Sequence, residues 1–190
     1  MGIREDIQEY KPINAQEEKD KINILKLMNE YDDIFLRDNE FAHMTSSAWV
    51  TNKARNKMLM AYHNIYKSYS WLGGHCDGEE DCLNVAIKEV QEESGIKNVK
   101  PISDKIFSLE VLSVNAHMKK GKYVPTHLHL NVTYLLEADE NEELKIKEDE
   151  NSAVAWFDID KAVEASNEEW FREHIYAKLN RKLRERYENN

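Results

Sequence analysis

The chain has 190 residues, room for one ordinary domain with or without extra helices, and 41% of them are hydrophobic, enough for a core and too many for wholesale disorder. The formal net charge of −10 argues against a dedicated nucleic-acid surface, which needs a basic field. It leaves small phosphorylated ligands open, because bound cations can supply positive charge locally. The charged opening segment has no apolar signal-peptide core, and no stretch reaches the length of a membrane span. Asp6 stands where a lipidation motif after Gly2 wants Ser or Thr. The only cysteines, Cys76 and Cys82, are therefore expected as free thiols in a reducing cytoplasm, and alone they make a poor zinc site.

In chain order, Ile24, Leu27, Met28, Tyr31, Ile34 and Phe35 repeat with a helical period, predicting an amphipathic helix over 17–38 packed on the domain. Strands are expected over 43–51 and 57–63, joined by a polar turn at 52–56, and over 68–72, where Gly73-Gly74 should stop the strand. A helix follows over 82–94, then strands over 106–116 and 127–136 joined by a basic loop, 117–126. An acidic connection covers 138–151, followed by a short strand at 153–157 and a helical turn at 160–165. Residues 167–188 read as a closing helix with Trp170, Phe171, Ile175, Leu179 and Leu183 on one side and a basic end that suits the helix dipole. Strands interleaved irregularly with helices point to an α/β or α+β domain with a mixed sheet.

The helix over 82–94 carries the chemistry. Asp81 is a good N-cap and Gly95 a good residue just past the C-terminus. Leu83, Ala86, Ile87 and Val90 define the expected buried stripe. Glu89, Glu92 and Glu93 fall on an adjacent flank, beside the core but not in it. Three carboxylates in the last turns, where the dipole is already negative, repel one another unless a cation joins them. Mg²⁺ prefers such oxygens. Most acidic helix faces are simply solvated, and it is the preceding segment, Trp71-Leu72-Gly73-Gly74-His75, that favours a site, because two glycines let a ligand approach the backbone. The acidic run Glu79-Glu80-Asp81 excludes a phosphate cradle at this helix N-terminus.

Gly74 to Ile96 resembles the signature of the Nudix hydrolases. Gly74, Glu80, Glu89, Val90, Glu92, Glu93, Gly95 and Ile96 stand at the specified positions, and Lys88 replaces the family's Arg. The likeness covers about 41–165, leaving 1–40 as an N-terminal helical extension and 166–190 as a C-terminal helix. It implies an α/β/α sandwich with a mixed sheet, Mg²⁺ or Mn²⁺ as cofactor, and hydrolysis of a phosphoanhydride bond in a nucleoside diphosphate linked to another group. By position, it makes Glu89, Glu92 and Glu93 metal ligands with the carbonyl of Gly73, and Glu80 and Lys88 structural. Lys lacks the planar fork with which Arg orients a carboxylate. The general base is expected to be a carboxylate of the helix, Glu92 or Glu93, or, as the resemblance implies, Glu150, whose neighbours Glu148 and Asp149 share with it an acidic loop over 137–150 that otherwise reads as ordinary solvated charge.

His127, His129, Asn131 and Thr133 alternate with apolar residues and make one polar strand face, open to substrate or covered by flanking elements. His75 has the better claim to substrate, Trp71 reads as core, and Cys76 has no identifiable base to make it a nucleophile. The expected partner is a small nucleotide-like substrate, with no membrane, nucleic acid disfavoured, and a homodimer possible. Three other readings stand beside the hydrolase: a catalytically silent ligand sensor, an isopentenyl diphosphate isomerase, which would need a catalytic cysteine segment upstream, and a pyrophosphohydrolase of RNA 5′ ends.

Overall fold

A computed structural model of the chain describes residues 2–119 and 121–188. Met1, Lys120 within the expected basic loop, and 189–190 at the end of the C-terminal extension lie outside them. The helices are α1 (Ile3–Glu9), α2 (Ala15–Glu30), α3 (Cys82–Ser94), α4 (Ile159–Ala165) and α5 (Ala177–Glu188), the last preceded by a π-helical segment, Phe171–Tyr176. The strands are β1 (Ala42–Thr51), β2 (Lys57–His63), β3 (Ser68–Ser70), β4 (Leu72–His75) and β5 (Val99–Pro101), then β6 (Ser108–Val114), β7 (His117–Lys119), β8 (Lys122–Val124), β9 (His127–Ala138) and β10 (Asn151–Asp158). Eight of them form one mixed, curled sheet in the order β10-β2-β1-β9-β5, with β3 on β2, β4 on β1 and β6 on β9. The expected α/β content and mixed sheet are present.

The chain divides into two compact units, Met1–Ser47, Gly73–Ala86 and Ser103–Tyr134 in one, Ala48–Leu72, Ile87–Ile102 and Leu135–Asn190 in the other. Strands β1 and β9 and helix α3 run through both.

In the first unit, β6 pairs antiparallel with β9 from Ser108↔Thr133 to Val114↔His127. Helix α2 packs on β6, and Ile7, Ile24, Met44, Leu109, Leu130 and Val132 are buried. The α2 contact is also polar: the fully buried Glu17 accepts from Ser108 Oγ at 3.0 Å and from Tyr10 Oη at 2.8 Å. The helix expected over 17–38 ends at Glu30; residues 31–38 are turns, and the Ile34 carbonyl accepts from Met44 N. The expected basic loop over 117–126 contains a hairpin, β7 and β8. Nor does Gly73-Gly74 stop a strand, because β4 continues through both to His75. A Cβ on Gly73 would lie 2.6 Å from the Ser46 carbonyl oxygen, so the glycine is what allows β4 to approach β1.

In the second unit, β2 pairs antiparallel with β10 and with β3. Trp49, Leu59, Leu72, Tyr176, Leu179 and Leu183 are buried there, and the Trp49 ring stacks on Tyr176 at 5.4 Å. Trp71 meets Tyr176 edge-on at 5.7 Å, in line with its reading as a packing residue. Of the side chains expected on the buried side of the closing helix, Trp170 is 47% exposed.

Candidate functional site

Helix α3 spans the thirteen residues between Asp81 and Gly95. Asp81 caps its start, its Oδ1 accepting from Asn84 N at 3.0 Å. Gly95, at φ +75°, ends it in the left-handed conformation. The buried face differs from the predicted stripe. Leu83 and Ile87 are half-buried, whereas Val85, Ala86, Val90, Glu93 and Ser94 are buried. Glu93 is thus part of the buried face and not only beside it, at 7% exposure.

Carboxylate oxygens of Glu89, Glu93 and Glu150 all lie within 4.8 Å of one another. The helix supplies two of them, because Glu89 and Glu93 are one turn apart on α3. The third is delivered by the turn before β10. The Glu150 and Asn151 amides both donate to the Lys147 carbonyl at 2.8 Å, closing that turn. The buried Asn151 side chain then donates to the Glu93 carbonyl at 3.0 Å, one of the acceptors a helix leaves open at its C-terminal end. A backbone hydrogen bond from Asn64 N to the Glu150 carbonyl holds the turn from the other side.

The Glu92 carboxylate is not a member of this trio. It pairs with Lys147 Nζ at 3.2 Å and with Lys88 Nζ at 3.6 Å. Lys147 Nζ also pairs with Glu150 at 3.0 Å. Burial alone would lower the Lys147 pKa, but its hydrogen bonds to Glu150 and Glu92 outweigh that and raise it, so the ammonium stays charged. Burial holds the Glu89 carboxyl above the usual range, with Lys147 countering and Glu92 and Glu150 reinforcing the shift. Lys147 was not singled out in the sequence, where it is one of two lysines in an acidic loop. Among the nearby acids, Glu148 and Asp149 do not join the trio.

The other expected residues lie in the first unit. His75, His127 and His129 come together with His43, which sequence reasoning missed. A signal was available, because His43, Thr45 and Ser47 alternate along β1 as His127, His129 and Asn131 do along β9. Both Thr45 and Ser47 hydroxyls donate to Asn131 Oδ1, at 3.0 and 2.9 Å, and this polar face is largely buried. Burial pushes His75 down to about 3 and His129 to about 2, and it lowers His43 as well. These rings are neutral at physiological pH. Glu80 is exposed in the loop before α3. Cys76 and Cys82 are buried free thiols 3.7 Å apart, and their mutual hydrogen bond and burial push the Cys82 thiol far up, which leaves it unreactive.

Comparison with known proteins adds an independent line. The sequence profile of the NUDIX domain matches residues 18–179. An RNA pyrophosphohydrolase of Pelagibacter ubique is 30% identical over 115 residues, 59% of this chain and 72% of that protein. An Ap4A hydrolase of C. elegans, solved as a binary complex, superposes with a TM-score of 0.54 at 18% identity, over 77% of this chain and 98% of that one. A NUDIX-family hydrolase from Clostridium perfringens superposes with a TM-score of 0.50 at 21% identity, over 74% and 95% of the two chains. No helix among the described residues is long and apolar enough to cross a membrane.

Proposed function

The chain belongs to the Nudix hydrolase family, and from that premise we propose that it hydrolyses a phosphoanhydride bond in a small nucleotide-like substrate, with Glu89, Glu93 and Glu150 holding a divalent cation. The observation that carries the reading is the convergence of these three carboxylates from two separate elements, with one of them nearly buried. The donor set fits the group: all-carboxylate oxygens suit Mg²⁺ or Mn²⁺ rather than softer metals. Such a cation, when bound, neutralises phosphate oxygens and lowers the pKa of a coordinated water.

The residues of the chain divide the remaining work. Glu93, fixed in the buried face of α3, and Glu89 one turn before it are the rigid ligands. Glu150 is the third ligand, and because its side chain is 39% exposed its second oxygen has the access a general base needs. Lys147 offsets the repulsion among the acids and fixes Glu92 and Glu150. In this reading Lys147 takes over the positioning that the family's Arg provides, because Lys88 is 68% exposed and makes only the longer contact with Glu92. The Gly73 carbonyl remains a proposed ligand through the motif alone. His75, His127 and His129 stand in the same proposal as substrate-side groups. As neutral imidazoles, His75 and His129 supply hydrogen bonds and not positive charge.

A second reading has one observation in its favour, the 30% identity to an RNA pyrophosphohydrolase. The net charge of −10 weighs against it. The discriminating experiment incubates the purified protein with Mg²⁺ or Mn²⁺ and a panel of nucleoside diphosphate derivatives and 5′-triphosphorylated RNA. Turnover of a nucleoside diphosphate derivative, lost in Glu93→Gln, supports the proposal. Preferential turnover of the RNA selects the second reading, and no turnover together with ligand binding selects the silent sensor.

A further inference from the structure

Four histidines gather in the first unit, from the start of β1, the end of β4 and the start of β9. The rings of His75, His127 and His129 lie with centroids 4.8 to 5.1 Å from that of His43. One ring nitrogen from each of His43, His75 and His129 lies within 4.8 Å of the others.

The tautomers of two rings follow from their partners. His43 Nδ1 is 2.9 Å from the Asn39 carbonyl oxygen, and His127 Nδ1 is 2.8 Å from that of Pro125. A carbonyl only accepts, so each Nδ1 carries the proton and each Nε2 presents a lone pair. The His43 side chain is at 4% exposure, and its Nε2 is buried with no hydrogen-bond partner. His127 Nε2 accepts from His129 Nε2 at 3.2 Å, which fixes the His129 ring beside His43. A carbonyl oxygen holding the far nitrogen while the near one faces inward is the usual way a metal-binding imidazole is oriented.

We propose that His43, His75 and His129, with His127 beside them, form a binding site for a borderline transition-metal cation of the Zn²⁺ type. The site is distinct in chemistry from the carboxylate trio. Neutral imidazole nitrogens suit Zn²⁺, Co²⁺ or Ni²⁺ and do not attract Mg²⁺, which takes oxygen ligands. No carboxylate belongs to the cluster. The charged groups that act on these rings are Arg37 and Asp77, which pair with each other, and Lys119. The ion would tie three strands of the first unit together.

The inference uses imidazoles that the hydrolytic reading places on the substrate side, and it is tested by metal binding alone, without the hydrolytic assay. Chelator-treated protein is titrated calorimetrically with Zn²⁺ in buffer containing excess Mg²⁺, as wild type, as His129→Asn and as the double variant Glu89→Gln/Glu93→Gln. The proposal expects uptake of one Zn²⁺ that Mg²⁺ does not compete away. It expects binding weakened about 100-fold or more in His129→Asn, and unchanged in the glutamine variant. Nitrogen-15 NMR of the wild-type imidazoles, which needs no variant to fold, should show the ring nitrogens of His43, His75 and His129 shifting together on Zn²⁺ addition. Absence of Zn²⁺ binding, imidazole signals that do not move, or loss of binding in the glutamine variant instead would overturn it.

Discussion

Lys147 is the residue that changes the account of the carboxylate site. Repulsion among Glu89, Glu92 and Glu93 was the sequence argument for a cation, and the fold supplies part of the answer with an ammonium from a distant loop. Its contacts with Glu92 and Glu150 make it a positioning residue, and supporting groups of this kind typically cost 10–100-fold when removed. Lys147→Met should therefore lower kcat by about 10- to 100-fold, with KM for the organic substrate little changed, and Lys147→Arg should recover much of the loss. Lys88→Met, measured in the same assay, should have the smaller effect, since its ammonium is mostly in water. Neither the pairing nor its partner was legible in the sequence. Lys147 is 55 positions from Glu92, and a lysine in an acidic loop looks the same whether it is solvated or docked.

At the scale of elements, helix α3 was read nearly residue for residue, because caps, absence of internal Gly or Pro and apolar spacing are all local signals. Its buried face was displaced, since which side of a helix faces the core depends on neighbours that periodicity does not contain. The longer strands were legible for the same local reason, whereas the three-residue strands β5, β7 and β8 and the run of β4 through two glycines were not. Glycine reads as a breaker until the close approach of Ser46 is known. The histidine cluster was half legible: alternation placed His127 and His129 on one face, but bringing in His43 takes tertiary pairing. Two predictions belong to this scale. Gly95→Ala places a methyl 2.7 Å from Lys145 Cβ on a backbone at φ +75°, and should destabilise the fold by about 1–3 kcal/mol, read as a lower unfolding midpoint in urea. Asn151→Ala removes the link to the Glu93 carbonyl that seats the Glu150 turn. It should reduce kcat by about tenfold or more while circular dichroism shows the domain still folded.

For the whole molecule, the excess of acidic residues sets which substrates can approach. A net charge of −10 repels a polyanion far more than a single nucleotide derivative whose charge a bound cation offsets. Raising the ionic strength should thus increase kcat/KM for a 5′-triphosphorylated RNA, by screening repulsion, and barely alter it for a nucleoside diphosphate derivative. A fall with salt for the RNA would indicate a basic contact surface. The central claim is that Glu89, Glu93 and Glu150 form one divalent-metal site, and Mn²⁺ binding followed by electron paramagnetic resonance tests it most directly. Wild-type protein should quench the free Mn²⁺ signal, and Glu93→Gln should bind about 10- to 100-fold more weakly with its secondary structure intact. Equal Mn²⁺ binding by the wild type and by a folded Glu89→Gln/Glu93→Gln/Glu150→Gln variant would contradict it.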